Sequence, residues 1–119
     1  MRAALLMLGT LAWASSACAQ GDAARGAALY ESRCTGCHSV QADRIGPRHQ
    51  GVVGRKAGSV SGFDYSDALK AARFNWDVPL LQRWLADPEA LVPGQRMGFS
   101  VPDAKDRADV TAYLATLKP

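Results

Sequence analysis

Five consecutive residues, Cys34-Thr35-Gly36-Cys37-His38, constrain this chain more than any other feature. Two thiols separated by two residues on a helical turn can each add to one of the two vinyl groups on a haem edge. A histidine directly after the second thiol is then swung under the iron. C-x-x-C-H is therefore the pattern of c-type haem attachment. Two other chemistries use close cysteines. A disulfide between Cys34 and Cys37 suits an oxidising compartment, but a thioredoxin-like site wants a βαβ context, and no strand-rich pattern surrounds the motif. A zinc site needs two more ligands, and outside the N-terminal leader only His49 is on offer.

The leader occupies residues 1–19. Met1 and Arg2 supply a positive start, residues 3–14 are almost continuously apolar, and Ser15, Ser16, Ala17, Cys18 and Ala19 are small. This is the layout of a secretory signal peptide with Ala17-Cys18-Ala19 as its A-x-A cleavage site. The apolar run is shorter than the roughly 20 residues of a membrane span. A lipoprotein signal also ends at a cysteine, but Ser15 stands where such signals usually carry leucine, so simple cleavage after Ala19 is the expectation. The mature chain is then residues 20–119, a single periplasmic domain without stable membrane insertion. Cleavage removes Arg2 and with it one unit of the formal net charge of +3. No Lys/Arg run of the nucleic-acid-binding kind is present. A domain of this size buries a limited core, and a large apolar cofactor would supply what the side chains do not.

Hydrophobic periodicity makes the domain all-α. Asp22 can cap a first helix whose Ala23, Gly26, Ala27, Tyr30 and Cys34 recur at helical spacing. Gly26 is costly inside a helix, which marks it as a crossing point. Residues 40–62 hold six glycines and prolines from Gly46 to Gly62 and read as a long loop, the kind that wraps something. A short helix is expected over 65–72, and another from the Asp77 cap to about Ala86, ended by Pro88. Pro93-Gly94 marks a turn. A last helix starts near Asp103 with Val110, Tyr113, Leu114 and Leu117 as its apolar stripe, suited to the Gly26/Tyr30 face of the first.

If His38 is one axial ligand, the other site must be filled by Met97, His49, water or nothing. Met97 is the one methionine after the leader and lies in the turn after Pro93-Gly94. A thioether ligand favours ferrous iron and raises the potential; a second imidazole lowers it. His49 lies in the glycine-rich loop, eleven residues after His38.

The sequence also resembles the class I c-type cytochromes, the mitochondrial cytochrome c and bacterial cytochrome c2 group. The resemblance runs from Gly21 to Lys118. It rests on Cys34-Thr35-Gly36-Cys37-His38, Gly46-Pro47, Gly54-Arg55-Lys56, Gly62-Phe63-Asp64-Tyr65-Ser66-Asp67-Ala68, Trp76, Trp84-Leu85-Ala86-Asp87-Pro88, Pro93-Gly94-Gln95-Arg96-Met97-Gly98-Phe99 and Arg107-Ala108-Asp109 before Tyr113-Leu114. It implies a small single-domain fold of helices and long loops around one covalently attached haem c, with thioethers to Cys34 and Cys37 and iron held by His38 and Met97. It further implies that the Pro47 carbonyl orients His38, that Arg55, Tyr65 and Trp76 surround the propionates, and that Phe99 lies near the exposed haem edge. Several positions depart from the group. Leu69, Trp84 and Gln95 replace an amide, a tyrosine and a threonine, His49 replaces a leucine, and Glu89 a lysine.

The function implied is that of a monomeric one-electron carrier, not an enzyme. Its partners by resemblance are a quinol–cytochrome c reductase as donor and an oxidase or photosynthetic reaction centre as acceptor; a periplasmic dehydrogenase donor fits equally. Arg33, Arg44, Arg48, Arg96 and Lys105 are the expected cations of a thinned positive face, with modest salt dependence of encounter.

Overall fold

A computed structural model describes residues 21–119; the expected leader, its expected cleavage site and Cys18 lie outside the described residues. Five helices succeed one another: α1 (Ala23–Arg33), α2 (Asp67–Ala71), α3 (Val78–Ala86), α4 (Pro88–Leu91) and α5 (Ala104–Thr116). Among the described residues the β-pairing is one isolated bridge, Lys56 with Asn75. No helix there is long and apolar enough to cross a membrane.

Acidic caps start most of these helices. The Asp22 side chain accepts from Arg25 N–H at 3.0 Å, Asp77 from Leu80 at 2.7 Å and Asp103 from Asp106 at 2.9 Å. Each satisfies an N–H that the first turn leaves without an intrahelical partner. Pro88, expected to end α3, does more than that. Asp87 closes α3 and its carboxylate also caps α4, with Pro88 in the first turn of that short helix, where a missing N–H costs nothing.

α1 and α5 cross closely. A Cβ on Gly26 would sit 1.9 Å from the Asp109 carbonyl oxygen, so only glycine admits this approach. Beside the crossing, the rings of Tyr30 and Tyr113 meet at 5.2 Å. Polar clamps reinforce it. Arg25 reaches Asp106 and Asp109 at 2.6 Å each and Arg33 reaches Asp106 at 2.9 Å, while within α5 Lys105 reaches Asp109 at 2.7 Å. The Asp22 backbone N–H also donates to Asp109. Val110 and Leu114 of α5 join Tyr30, Leu81, Trp84 and Leu85 in one buried cluster.

The long connection from Cys34 to Ser66 is not helical, yet it is stitched down. Gly51 N–H donates to the Leu117 carbonyl at 2.6 Å, Gly54 N–H to Trp76, and Ala57 N–H to Phe74. Val52, Ala57, Val60 and Tyr65 from this stretch are buried. Gly58 shows why the loop needs glycine. Its φ is +69°, and a Cβ there would lie 2.4 Å from the Leu69 carbonyl oxygen.

Candidate functional site

The Cys34–His38 segment caps the C-terminus of α1. Cys34 N–H donates to the Tyr30 carbonyl at 2.8 Å, and Cys37 and His38 N–H groups both donate to the Cys34 carbonyl, at 3.1 and 2.9 Å. One tight turn therefore carries both thiols and the imidazole. Cys34 is half-buried, Cys37 is exposed, and both are free thiols. Burial pushes the Cys34 thiol up to about 11. Nucleophilic redox cysteines have lowered values, the opposite direction to that of Cys34. No group of three or more His, Cys, Asp or Glu side chains converges on a metal-sized site among the described residues.

The loop C-terminal to His38 holds its ring in place. The His38 Nδ1 lies 2.9 Å from the Pro47 carbonyl oxygen. A carbonyl has no proton to give, so Nδ1 carries the hydrogen and Nε2 keeps the lone pair that a metal needs. Burial pulls the pKa of His38 below the ordinary histidine value, which preserves that neutral form. Gly46 makes the approach of the loop possible: a Cβ there would lie 2.1 Å from His38 Cε1. Arg44 donates to the carbonyls of Thr35 and His38, pinning the same turn from outside.

Met97 lies on the extended segment between α4 and α5. Pro93-Gly94 turns the chain, with Gly94 at φ +89°. The Gly94 N–H donates to Glu89 at 2.8 Å, and the Met97 N–H donates to the Gln95 side chain. Met97 and Cys34 are both partly buried against the same apolar cluster. Two residues on, Phe99 is 44% exposed.

His49, the rival ligand, is differently engaged. Its ring stacks on that of His38, with centroids 4.2 Å apart and planes within 23°. Two imidazoles on opposite faces of one iron point at each other along a common axis and do not stack. The His49 Nδ1 and Tyr30 Oη share a 2.8 Å hydrogen bond, and burial, followed by the charges of His38 and Arg55, pushes the His49 pKa down to about 3. Periodicity cannot signal such a stack, because the loop that makes it has no regular period.

The donor set fits a covalent haem. Two free thiols on one turn match two vinyl positions, and a tautomer-locked imidazole comes directly after them. A depression of about 470 Å³ lined by Arg48, Gln50, Arg55, Ser59 and Ser61, among others, carries guanidinium and hydroxyl groups, and its lining includes none of Cys34, Cys37, His38 and Met97. Arg55 is tied to the Arg48 and Gln50 carbonyls, and the Tyr65 hydroxyl accepts from Val60 N–H at 3.0 Å.

Comparison with known proteins agrees with this chemistry. The family model described as Cytochrome c matches residues 23–118. The cytochrome c2 of Rhodomicrobium vannielii is 44% identical over 110 residues, covering 89% of this chain and 87% of its own. The cytochrome c of Euglena viridis is 45% identical over 101 residues, covering 82% and 99%. Among solved structures, cytochrome cH from Methylobacterium extorquens superposes with a TM-score of 0.76 at 44% identity, covering 81% of this chain and 99% of that one.

Proposed function

The chain belongs to the cytochrome c family, and on that premise we propose that residues 20–119 are a periplasmic electron carrier whose haem is bound through Cys34 and Cys37 and whose iron is held by His38 and Met97. Members of the family carry covalent haem c and transfer electrons; they are not enzymes. What remains to be assigned is which residues do this here, and where.

The observation that carries the ligand assignment is the locked imidazole. Pro47 accepts the hydrogen bond from Nδ1–H, so His38 presents Nε2 as a lone-pair donor directly beside two free thiols. When bound, the haem supplies a one-electron ferric/ferrous couple. The chain's part is to hold it, keep water away and keep both ligands in both states. His38 is fixed by Pro47 and Gly46. Met97 is fixed by the Pro93-Gly94 turn and its contact with the apolar cluster. A thioether on the second side favours the reduced state and raises the potential. If His38 and Met97 hold the iron in both states, they would leave no open position for a substrate and would keep geometry change small. Two thioether links prevent cofactor loss over repeated encounters.

Export through residues 1–19 would deliver the chain to the compartment where such carriers meet membrane complexes. There a quinol–cytochrome c reductase or a periplasmic dehydrogenase would be its donor, and an oxidase or reaction centre its acceptor. The protein would act as a monomer.

The test is an absorption spectrum of the exported holoprotein, oxidised and then reduced, beside its Met97→Ala variant. The wild type should show the weak red band of sulfur bound to ferric iron. The variant should lose that band and bind added carbon monoxide when reduced. A wild type without the band that binds carbon monoxide freely would remove Met97 from the iron.

A further inference from the structure

His49 is left over once the ligands and their supports are assigned, yet it is the side chain most intimately placed against His38. Its backbone N–H donates to the Ser39 carbonyl at 3.1 Å, which folds the loop after Pro47 back along the segment just beyond the thiols. That brings the two imidazoles face to face at 4.2 Å. The far side of the contact is anchored as well. Tyr30 Oη shares the 2.8 Å hydrogen bond with His49 Nδ1, and the Tyr30 ring meets the His49 ring edge-on at 5.5 Å. Tyr30 is itself 3% exposed and wedged in the α1–α5 crossing. The His49 plane is thus set by a rigid part of the fold.

A leucine at this position, the usual residue in the group the sequence resembles, would fill similar space. It would present no plane to His38 and no acceptor or donor to Tyr30, whose buried hydroxyl would then be unpaired, at a desolvation cost. The imidazole does something that volume alone does not. His38 has one hydrogen bond, Nδ1–H to Pro47, which fixes its tautomer and its tilt. Rotation of the ring plane about that bond's direction is opposed by contacts on the ring faces, and His49 supplies a flat one.

We propose that His49 is a positioning residue for His38, its stacked ring, clamped by Tyr30, fixing the rotational angle of the proximal imidazole plane. This rests on the reading of His38 as an iron ligand. The orientation of an axial imidazole selects which iron orbital holds the unpaired electron of the ferric state. That choice sets how spin is distributed around the haem periphery and is legible in the paramagnetically shifted methyl signals.

Proton NMR of the ferric holoprotein, with its reduction potential, tests this in wild type, His49→Leu, His49→Phe and Tyr30→Phe. His49→Leu should change the order and spread of the haem methyl signals and shift the potential. His49→Phe, which keeps a flat ring but gives up the bond to Tyr30, should bring the pattern most of the way back, to about that of Tyr30→Phe. Tyr30→Phe, which releases one edge of the clamp, should move the pattern in the same direction as His49→Leu but less far. A His49→Leu protein with an unaltered methyl pattern and potential, changed only in melting temperature, makes His49 a packing residue and overturns the proposal. So does a His49→Phe protein whose pattern is no nearer the wild type than that of His49→Leu. If His49→Leu yields no holoprotein, Tyr30→Phe decides alone, and an unmoved pattern there overturns the proposal. A wild type whose iron is not held by His38 sinks the ligand reading first, and this with it; the variants are compared only against a wild type in which His38 is bound.

Discussion

At the scale of single residues, the chemistry of the site is local and therefore readable. Cys34, Cys37 and His38 lie within five positions, so the candidate attachment site is visible in one short stretch of sequence. The supports around them are not local. That Gly46 must lack a Cβ depends on where the loop returns over His38, which no pattern of hydrophobicity records. Pro47 is legible as a His38 partner only through resemblance, and the stack of His49 on His38 is not legible at all. Gly46→Ala puts a methyl group 2.1 Å from His38 Cε1. Either the ring rotates off Pro47 or the loop shifts, and overpacking of this kind costs about 1–3 kcal/mol. Gly36→Ala is the control, because nothing lies within 4 Å of a Cβ there; it should change stability by less than about 0.5 kcal/mol. Guanidinium unfolding of both holoproteins, monitored at the haem absorbance, measures the difference. Equal stabilities would mean that His38 is not tightly held from the Gly46 side.

At the scale of elements, the helices are legible because their start signals are short-range. Asp22, Asp77 and Asp103 each cap the helix expected of them. The miss, α4, has the same cause in reverse: Pro88 reads as a stop, while Asp87 makes it a start. What the sequence cannot display is the clamp between α1 and α5, whose partners stand 73 to 84 residues apart. Its electrostatics make a prediction. Lys105 first, then Arg25 and the Asp22 N–H, hold the Asp109 carboxylate well below the ordinary aspartate value of 3.8. Arg25 and then Arg33 do the same for Asp106. A carboxylate whose folded pKa is depressed contributes stability above its unfolded pKa and loses it as pH falls through the folded one. The clamp is therefore at full strength above about pH 4 and fades below it. Asp109→Asn should destabilise the holoprotein at neutral pH by removing the negative charge that Arg25 and Lys105 share, even though Arg25 keeps Asp106. The gap between variant and wild type should then narrow steadily below about pH 4, where the unfolded wild type takes up a proton that the folded carboxylate still refuses. Chemical denaturation across that range measures the gap, and one that stayed constant down the acid limb would show that Asp109 contributes packing and not charge.

At the scale of the whole molecule, the five cations expected to make a positive docking face are largely masked by the fold. Arg33 pairs with Asp106, Arg48 with Asp43 at 3.1 Å, Arg96 with Asp64 at 3.8 Å and Lys105 with Asp109. Arg44 is turned onto the backbone of the Cys motif. Charges paired this way produce a weak far field, so encounter with an acidic redox partner should depend only modestly on salt. The masking can be removed at one point without touching the site. Asp64 is on the surface, its side chain 85% exposed, and is shared by Arg96 and Lys70. Arg96 adjoins Met97 in sequence, and Phe99 on the same segment is 44% exposed. Asp64→Asn frees Arg96 from its carboxylate beside the segment that would face a partner, while Lys70 loses one of two carboxylates and keeps Asp67. If that segment docks, electron transfer to a cytochrome c-accepting oxidase should become roughly twofold faster at low ionic strength, a small part of the 10- to 10³-fold range that steering spans. The salt dependence should steepen in step. At about 0.1 M salt and above, where the screening length falls to about 10 Å and below, variant and wild type should converge. The folded stability should stay within about 0.5 kcal/mol, since exposed ion pairs contribute little. Stopped-flow rates across a salt series separate the cases. Curves that coincide at every ionic strength would place the docking face away from Arg96 and Lys70, and would leave the exposed Phe99 as an apolar side chain without a partner.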